Sequence, residues 1–270
     1  MKKIIALTLA LVMCLTLFAA CGKKEAGAKI AAQKGTTSFM YGEALKNVEM
    51  KSYDTFPLAA KDMKNGNADY LFVDKTTAKA LAKDIEGLKI IEIPLSSENY
   101  GIGIDKNQAD LKAKIDNILE TKAAEIDAIK EKYMNGEEAK YVGITSGTKD
   151  SSKAAQQLVV ATNAEFDPWE YKEGNQFYGI DMEIAKLIAD ELGLELVIED
   201  MAFDAVVSAV GKHDIDIAMS GITITTERLG VINFSTPYYT ESIVCVVNES
   251  NTELDSAGTV VDMLNVICNK

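Results

Sequence analysis

The sequence predicts an α/β protein built on largely parallel sheets, on three observations. Short β-rich runs alternate with helical patterns along the chain. From 135 to 157 the apolar periodicity stops and Gly, Ser, Thr and Lys dominate, which reads as a linker between two parts of similar size. The two parts also echo each other. Residues 59–74 give a helix, then Asn65-Gly-Asn-Ala-Asp69, then a strand ending at Asp74, and residues 205–223 give a helix, then Gly211-Lys-His-Asp-Ile-Asp216, then a strand ending at Ser220. Each unit delivers polar groups at the carboxyl end of a strand, where open α/β sheets bind ligands.

Strands are expected over 30–33, 70–73, 90–93, 101–104, 158–162, 196–199, 215–219 and 243–247. Between them the clearest helix is 181–192, with Ile184, Leu187, Ile188 and Leu192 on one face and Gly193 placed to end it. The stretch 111–133 is longer and more charged, so it is expected on an outer surface or broken in two.

Lys2 and Lys3 precede an apolar run over 4–20 that ends in small residues before Cys21, the pattern of an export leader over 1–21. Phe18-Ala-Ala-Cys21 resembles the lipobox of bacterial lipoproteins. That resemblance implies lipidation of Cys21, a membrane anchor through the lipid, and a short tether over 22–28. An ordinary secretory signal is the alternative, and either places the protein outside the cytoplasm.

Without Lys2 and Lys3 the chain carries 26 basic against 41 acidic residues, a net charge of −15, which argues against a nucleic-acid partner. Cys245 and Cys268 are too few for a disulfide framework, and Cys245 reads as a small buried apolar residue. His213 is the single histidine and reads as a turn residue. The sequence has no evident Ser/His/Asp set, Cys–His pair or metal-ligand cluster, so no catalytic residue, metal or cofactor is expected.

Of 28 basic side chains one is arginine, Arg228, in the run Ser220-Gly-Ile-Thr-Ile-Thr-Thr-Glu-Arg228. Only arginine offers a flat, permanently charged fork that holds a carboxylate by two parallel hydrogen bonds. A surface arginine without a role is the competing reading of that residue taken alone.

Four segments, Leu158-Val-Val-Ala-Thr-Asn-Ala-Glu-Phe-Asp-Pro-Trp-Glu-Tyr171, Tyr178-Gly-Ile-Asp181, Ser220 to Arg228 and Phe234-Ser-Thr-Pro-Tyr-Tyr239, resemble the first lobe of the polar amino acid solute-binding proteins of ABC importers. Lys29-Ile-Ala-Ala-Gln-Lys-Gly-Thr-Thr37, Asn65 to Asp74 and Tyr100-Gly-Ile-Gly-Ile104 resemble the second lobe. The resemblance implies a two-lobed, Venus-flytrap fold of the periplasmic-binding-protein type, with its lobes in permuted order. On that reading 29–104 is the second lobe, 105–134 the helical segment that closes the family's chain, 135–157 the linker, 158–247 the first lobe with a crossover strand, and 248–270 a tail that docks on the second lobe. The crossovers are expected at 243–247 outward and 101–104 back. A truncated tandem array or a mis-assembled gene would give the same order.

The same resemblance assigns the pocket. Arg228 takes a ligand carboxylate, with Thr223, Thr37, Ser220 and the backbone N–H groups around Gly221 and Thr37 completing its hydrogen bonds. Asp74, on the opposite lobe, accepts the ammonium. Phe166 and Phe203 wall the side-chain compartment, with ordinary core packing the competing reading of each, and Trp169 is a further candidate wall for which core packing is the favoured reading. Asn163 stands where relatives often carry an acid and Gln33 where some carry a base, which points to a neutral or polar amino acid. The implied function is capture of a free amino acid by a monomer and delivery to an ABC permease. A sensory or other non-transport binding lipoprotein is the alternative, and a dehydratase-like enzyme on the same fold a more distant one.

Overall fold

The computed structural model describes residues 27–212 and 215–270, so the leader, Cys21, nearly all of the tether and His213 lie outside the described residues. The first part of the chain runs β1 (Ala28–Gln33), α1 (Thr37–Glu43), β2 (Val48–Tyr53), α2 (Phe56–Lys64), β3 (Tyr70–Asp74), α3 (Lys75–Asp84) and β4 (Leu88–Ile91). It continues through β5 (Glu98–Tyr100), β6 (Gly103–Ile104), α4 (Ala109–Thr121) and α5 (Ala123–Met134). The second part holds β7 (Gln157–Thr162), β8 (Glu165–Phe166), β9 (Glu170–Glu173), β10 (Gln176–Tyr178), α6 (Ile180–Leu192), β11 (Glu195–Asp200) and α7 (Phe203–Ala209). It ends with β12 (Ile217–Ala218), α8 (Thr226–Val231), β13 (Asn233–Phe234), β14 (Tyr239–Glu241), β15 (Ile243–Asn248) and α9 (Val260–Cys268).

Two five-stranded sheets result, β2-β1-β3-β15-β4 and β11-β7-β12-β6-β13, each the centre of one α/β lobe. Both are mixed rather than largely parallel. β15 runs antiparallel between β3 and β4, and β6 runs antiparallel between β12 and β13. The expected crossover strands therefore lie inside sheets: residues 103–104 belong to the first lobe's sheet and 243–248 to the second lobe's. The passage between lobes is made instead by β5 and β14, which pair antiparallel with Tyr239 opposite Tyr100 and Glu241 opposite Glu98. Glu98-Asn-Tyr100 is too short and polar to announce itself as a strand.

The stretch 111–133 breaks at Lys122 into α4 and α5, and α5 lies on the first lobe, where Tyr133 donates from its hydroxyl to Glu183 of α6. Residues 135–157 do not hang free. Ile144 bridges to Phe177, Gly147 N–H donates to Leu196 O at 2.9 Å, and Ser146 Oγ accepts from Ile198 N–H, so this polar stretch lies along the first lobe. The tail packs on the other lobe. Met263, Leu264 and Ile267 of α9 join Ile30, Tyr70, Phe72 and Cys245 in one apolar cluster, with the Thr259 side chain capping the helix.

Candidate functional site

The carboxyl ends of β1 and β3 in one lobe face the loops after β7 and β12 in the other, and the gap between them is nearly closed, with a cavity of about 10 Å³. Gln33, Thr37, Asp74, Phe166, Phe203, Gly221, Thr223 and Arg228 all line it, together with Thr36 and Phe56. Ser220 and Asn163 do not. Ser220 is fully buried behind the wall, where its hydroxyl donates to Glu170 Oε1 at 2.6 Å and accepts from Asn163 N–H. The Asn163 side chain is held by Gln33 Nε2, which donates to its Oδ1 across the lobes at 2.8 Å, and by Met201 O.

Arg228 is placed by its own backbone. Thr225 caps the short helix α8 by accepting from Arg228 N–H, which fixes the residue at the helix start and turns the side chain into the gap. Arg228 is 7% exposed. Its Nη1 donates to Thr223 O at 2.8 Å and its Nη2 reaches the other lobe at Gly35 O, 3.0 Å away. The Phe203 ring covers one face, 5.7 Å from centroid to Cζ. Burial lowers the pKa of Arg228 while Glu98 and Asp74 oppose that shift.

Asp74 ends β3 at 5% exposure, and its Oδ1 has no hydrogen-bond partner among the described residues. Burial, with Glu98 and Glu241 adding repulsion, pushes its carboxyl well above the usual range. Tyr100 opposes the rise, although its own hydroxyl has no hydrogen-bond partner among the described residues. Asp74 thus presents a buried oxygen without a hydrogen-bond partner to the gap.

Glu98 was not foreseen. Thr37 Oγ1 donates to Glu98 Oε2 at 2.6 Å, and Thr223 Oγ1, from the other lobe, donates to the same oxygen at 2.7 Å. Both hydroxyl protons are thereby directed at Glu98. Phe56 was missed too. It opens α2 just after its cap, Thr55, and stacks on Phe166 of the other lobe with centroids 5.5 Å apart. A Thr-Phe-Pro start is a readable helix signal, but nothing local in it points across a cleft.

Trp169 belongs to the core, the reading favoured for it from the sequence. It is fully buried behind the site, packed on Tyr100 and Tyr239, and its indole N–H donates to Thr76 Oγ1 of the second lobe at 2.9 Å. The cleft does not need it as a wall because Phe56 fills that place.

The turn 220–223 rests on two fully buried carboxyls, Glu170 and Asp181. Gly221, at φ +52°, donates its N–H to Asp181 Oδ2 at 2.8 Å, and Tyr238 Oη donates to both Asp181 oxygens. A Cβ at Gly221 would stand 2.5 Å from the Phe166 ring, so glycine is required both by conformation and by space. Burial first, then repulsion from Asp181 and Asp200, raises the Glu170 carboxyl well above its ordinary range. An unfolded glutamate gives up that proton near pH ~4.3. Between that pH and its folded pKa the folded protein holds the extra proton, so stability falls as pH rises through that window. Glu170→Gln removes this contribution. The loss of unfolding temperature between about pH 5 and about pH 8 is expected to be smaller in the variant than in the wild type. Equal losses in both would show that Glu170 ionises in the fold.

Among the described residues no group of three or more His, Cys, Asp or Glu is arranged to hold a metal ion, and no helix is long and apolar enough to cross a membrane. Two α/β lobes are thus joined by paired crossing strands, with a buried arginine and a buried carboxyl facing one gap between them. Residues 158–268 match the bacterial extracellular solute-binding proteins, family 3. It is 36% identical over 101 residues to the arginine-binding extracellular protein ArtP of Bacillus subtilis (strain 168), covering 37% of this chain and 40% of that one. It is 35% identical over 82 residues to the cyclohexadienyl dehydratase of Pseudomonas aeruginosa, covering 30% of this chain and 31% of that one. The arginine-bound form of domain 1 from TmArgBP aligns at 33% identity over 45% of this chain and 96% of its own, with a TM-score of 0.31. The chain thus spans about two fifths of the length of the curated relative matched first.

Proposed function

We propose that this protein captures a free amino acid between its lobes and delivers it to an ABC permease, as an extracytoplasmic lipoprotein anchored through Cys21. One observation carries the reading: a buried arginine fork and an unpartnered buried carboxyl, Arg228 and Asp74, face the same cavity from opposite lobes. An α-amino acid carries the two complementary charges. Because the groups belong to different lobes, a ligand bridging them favours the closed arrangement. The lobes are read as standing in permuted order; the family match over 158–268, after the sheet built largely from residues 28–91, supports that reading.

The arginine-binding relative supports a basic amino acid over the neutral one read from Asn163. A thermal-shift screen of the common amino acids tests this. A ligand at 100 times its Kd should add about 2.7 kcal/mol of stability, with L-arginine the expected first responder. No shift with any amino acid would overturn the reading. Turnover of a prephenate-like acid would replace it with the dehydratase reading, and capture of a permease on the liganded protein would separate transport from sensing.

A further inference from the structure

A second recess between the lobes is far larger than the gap: a groove of about 980 Å³ that Tyr239 and Glu241 of β14 help to line. None of the residues that line the gap lines the groove. Phe56 and Phe166, which stack on each other, belong to the gap, while Pro57, Glu165 and Asp167 beside them in sequence belong to the groove. The groove's two walls carry opposite charge. The second lobe contributes α3, whose Lys75, Lys79 and Lys83 recur at four-residue spacing and so share a face of the helix. The first lobe contributes Glu138, Glu165, Asp167 and Glu173 and no basic residue. Lys75 pairs with Glu92 of its own lobe, but among the described residues Lys79, Lys83 and those four acids form no ion pair. The walls are still near enough to act on each other. A Cβ at Gly136 of the first lobe would stand 3.6 Å from Lys83 Nζ, and Asp84 and Lys83 both act on the Asp167 carboxyl. The first-lobe wall is also aromatic: Tyr141, Tyr171 and Tyr178 are half-buried there, Tyr171 stacked on Tyr178 at 5.6 Å. Such rings offer broad contact at low entropic cost, with a hydroxyl for hydrogen bonding.

We propose that this groove is a second binding site, for a short peptide with both termini free: its carboxylate on Lys79 and Lys83, its ammonium on the acids of the opposite wall, and its chain against the tyrosines. Unpaired charges of both signs on facing walls call for a ligand that carries both signs. The volume lies at the upper end of small-molecule sites, which suits several residues of chain. A peptide holds its two charges at opposite ends, up to about 3.5 Å further apart for each residue added. An internal stretch of a larger protein carries neither terminal charge. The inference stands apart from the amino acid reading, because none of its residues lines the gap.

Trialanine is the probe, and the protein carries its own reporter. Trp169 is the single tryptophan, its indole N–H donates to Thr76 Oγ1 and its ring packs on Tyr239, and both of those residues line the groove. Titration with trialanine should shift the Trp169 emission. N-acetyl-trialanine lacks the ammonium and trialanine amide lacks the carboxylate, and each should bind about fivefold more weakly. Lys79→Gln combined with Lys83→Gln should weaken trialanine and its N-acetyl form about fivefold and leave the amide unchanged. Asp167→Asn combined with Glu173→Gln should weaken trialanine and the amide and leave the N-acetyl form unchanged. Both double variants should keep the wild-type response in the amino acid thermal screen. Three results would overturn the inference: no binding of trialanine by fluorescence or calorimetry, equal losses for all three peptides in the lysine variant, or displacement of trialanine by the amino acid that the thermal screen selects, which would put the peptide in the gap. None of these bears on whether the gap holds an amino acid, and a protein that binds no amino acid leaves the peptide titrations as they stand.

Discussion

Arg228→Lys is expected to weaken amino acid binding by roughly 30- to 150-fold, the equivalent of about 2–3 kcal/mol for losing one partner of a buried charged pair. Lysine keeps the charge and loses the planar fork. In the protein that fork does two things at once: Nη1 holds Thr223 O within its own lobe and Nη2 reaches Gly35 O on the other. A single ammonium on a flexible stem cannot hold both carbonyls and still present parallel donors to a carboxylate. Calorimetry with the amino acid and with its decarboxylated amine separates these effects. The amine has no carboxylate to lose, so its affinity should change far less. Equal losses for both would mean that Arg228 acts only by holding the lobes together, and unchanged affinity for the amino acid would remove Arg228 from the ligand site.

Trp169→Ala is expected to be the costliest single change for folding, at about 3–5 kcal/mol for truncating a fully buried large aromatic. Its ring packs edge-on against Tyr100 at 4.9 Å and Tyr239 at 4.6 Å, residues of the two strands that join the lobes. Its indole N–H also satisfies Thr76 Oγ1, which in turn donates to Glu241. Removal leaves both a cavity and a broken polar relay between lobes. Chemical denaturation measures the loss. A cost below about 1 kcal/mol would mean that the site collapses around the gap.

The strands with β-branched runs, such as 158–162 and 243–247, were legible because their composition alone marks them. The helix ending at Gly193 was legible from its apolar face and its left-handed terminator, which stands at φ +67°. What the sequence hid was partnership. Residues 243–248 read correctly as a strand, but nothing in Ile-Val-Cys-Val-Val says that their neighbours will be β3 and β4 of the other part. Likewise Thr37 and Thr223 were found through the family resemblance, while Glu98, which decides where their protons point, sits in a polar segment with no pattern of its own. Its partners lie 61 and 125 residues away. The buried pair Glu170 and Asp181 was passed over for the same reason, since two acids in sequence look like surface until the fold removes the water around them.

The exchange of strands between the two halves has a consequence for the order of events in assembly. The sheet containing β1 to β4 stays split until residues 243–248 arrive to fill its centre, and the other sheet stays split until residues 103–104 reach it. Neither lobe can be finished as a separate early unit, because each awaits a piece carried by the other. Closing such long loops costs chain entropy before any contact rewards it, so the barrier is high and is crossed late. Folding of this chain is therefore expected to couple the two lobes rather than complete them in succession, and a half-made chain to expose the apolar faces of two unfinished sheets at once.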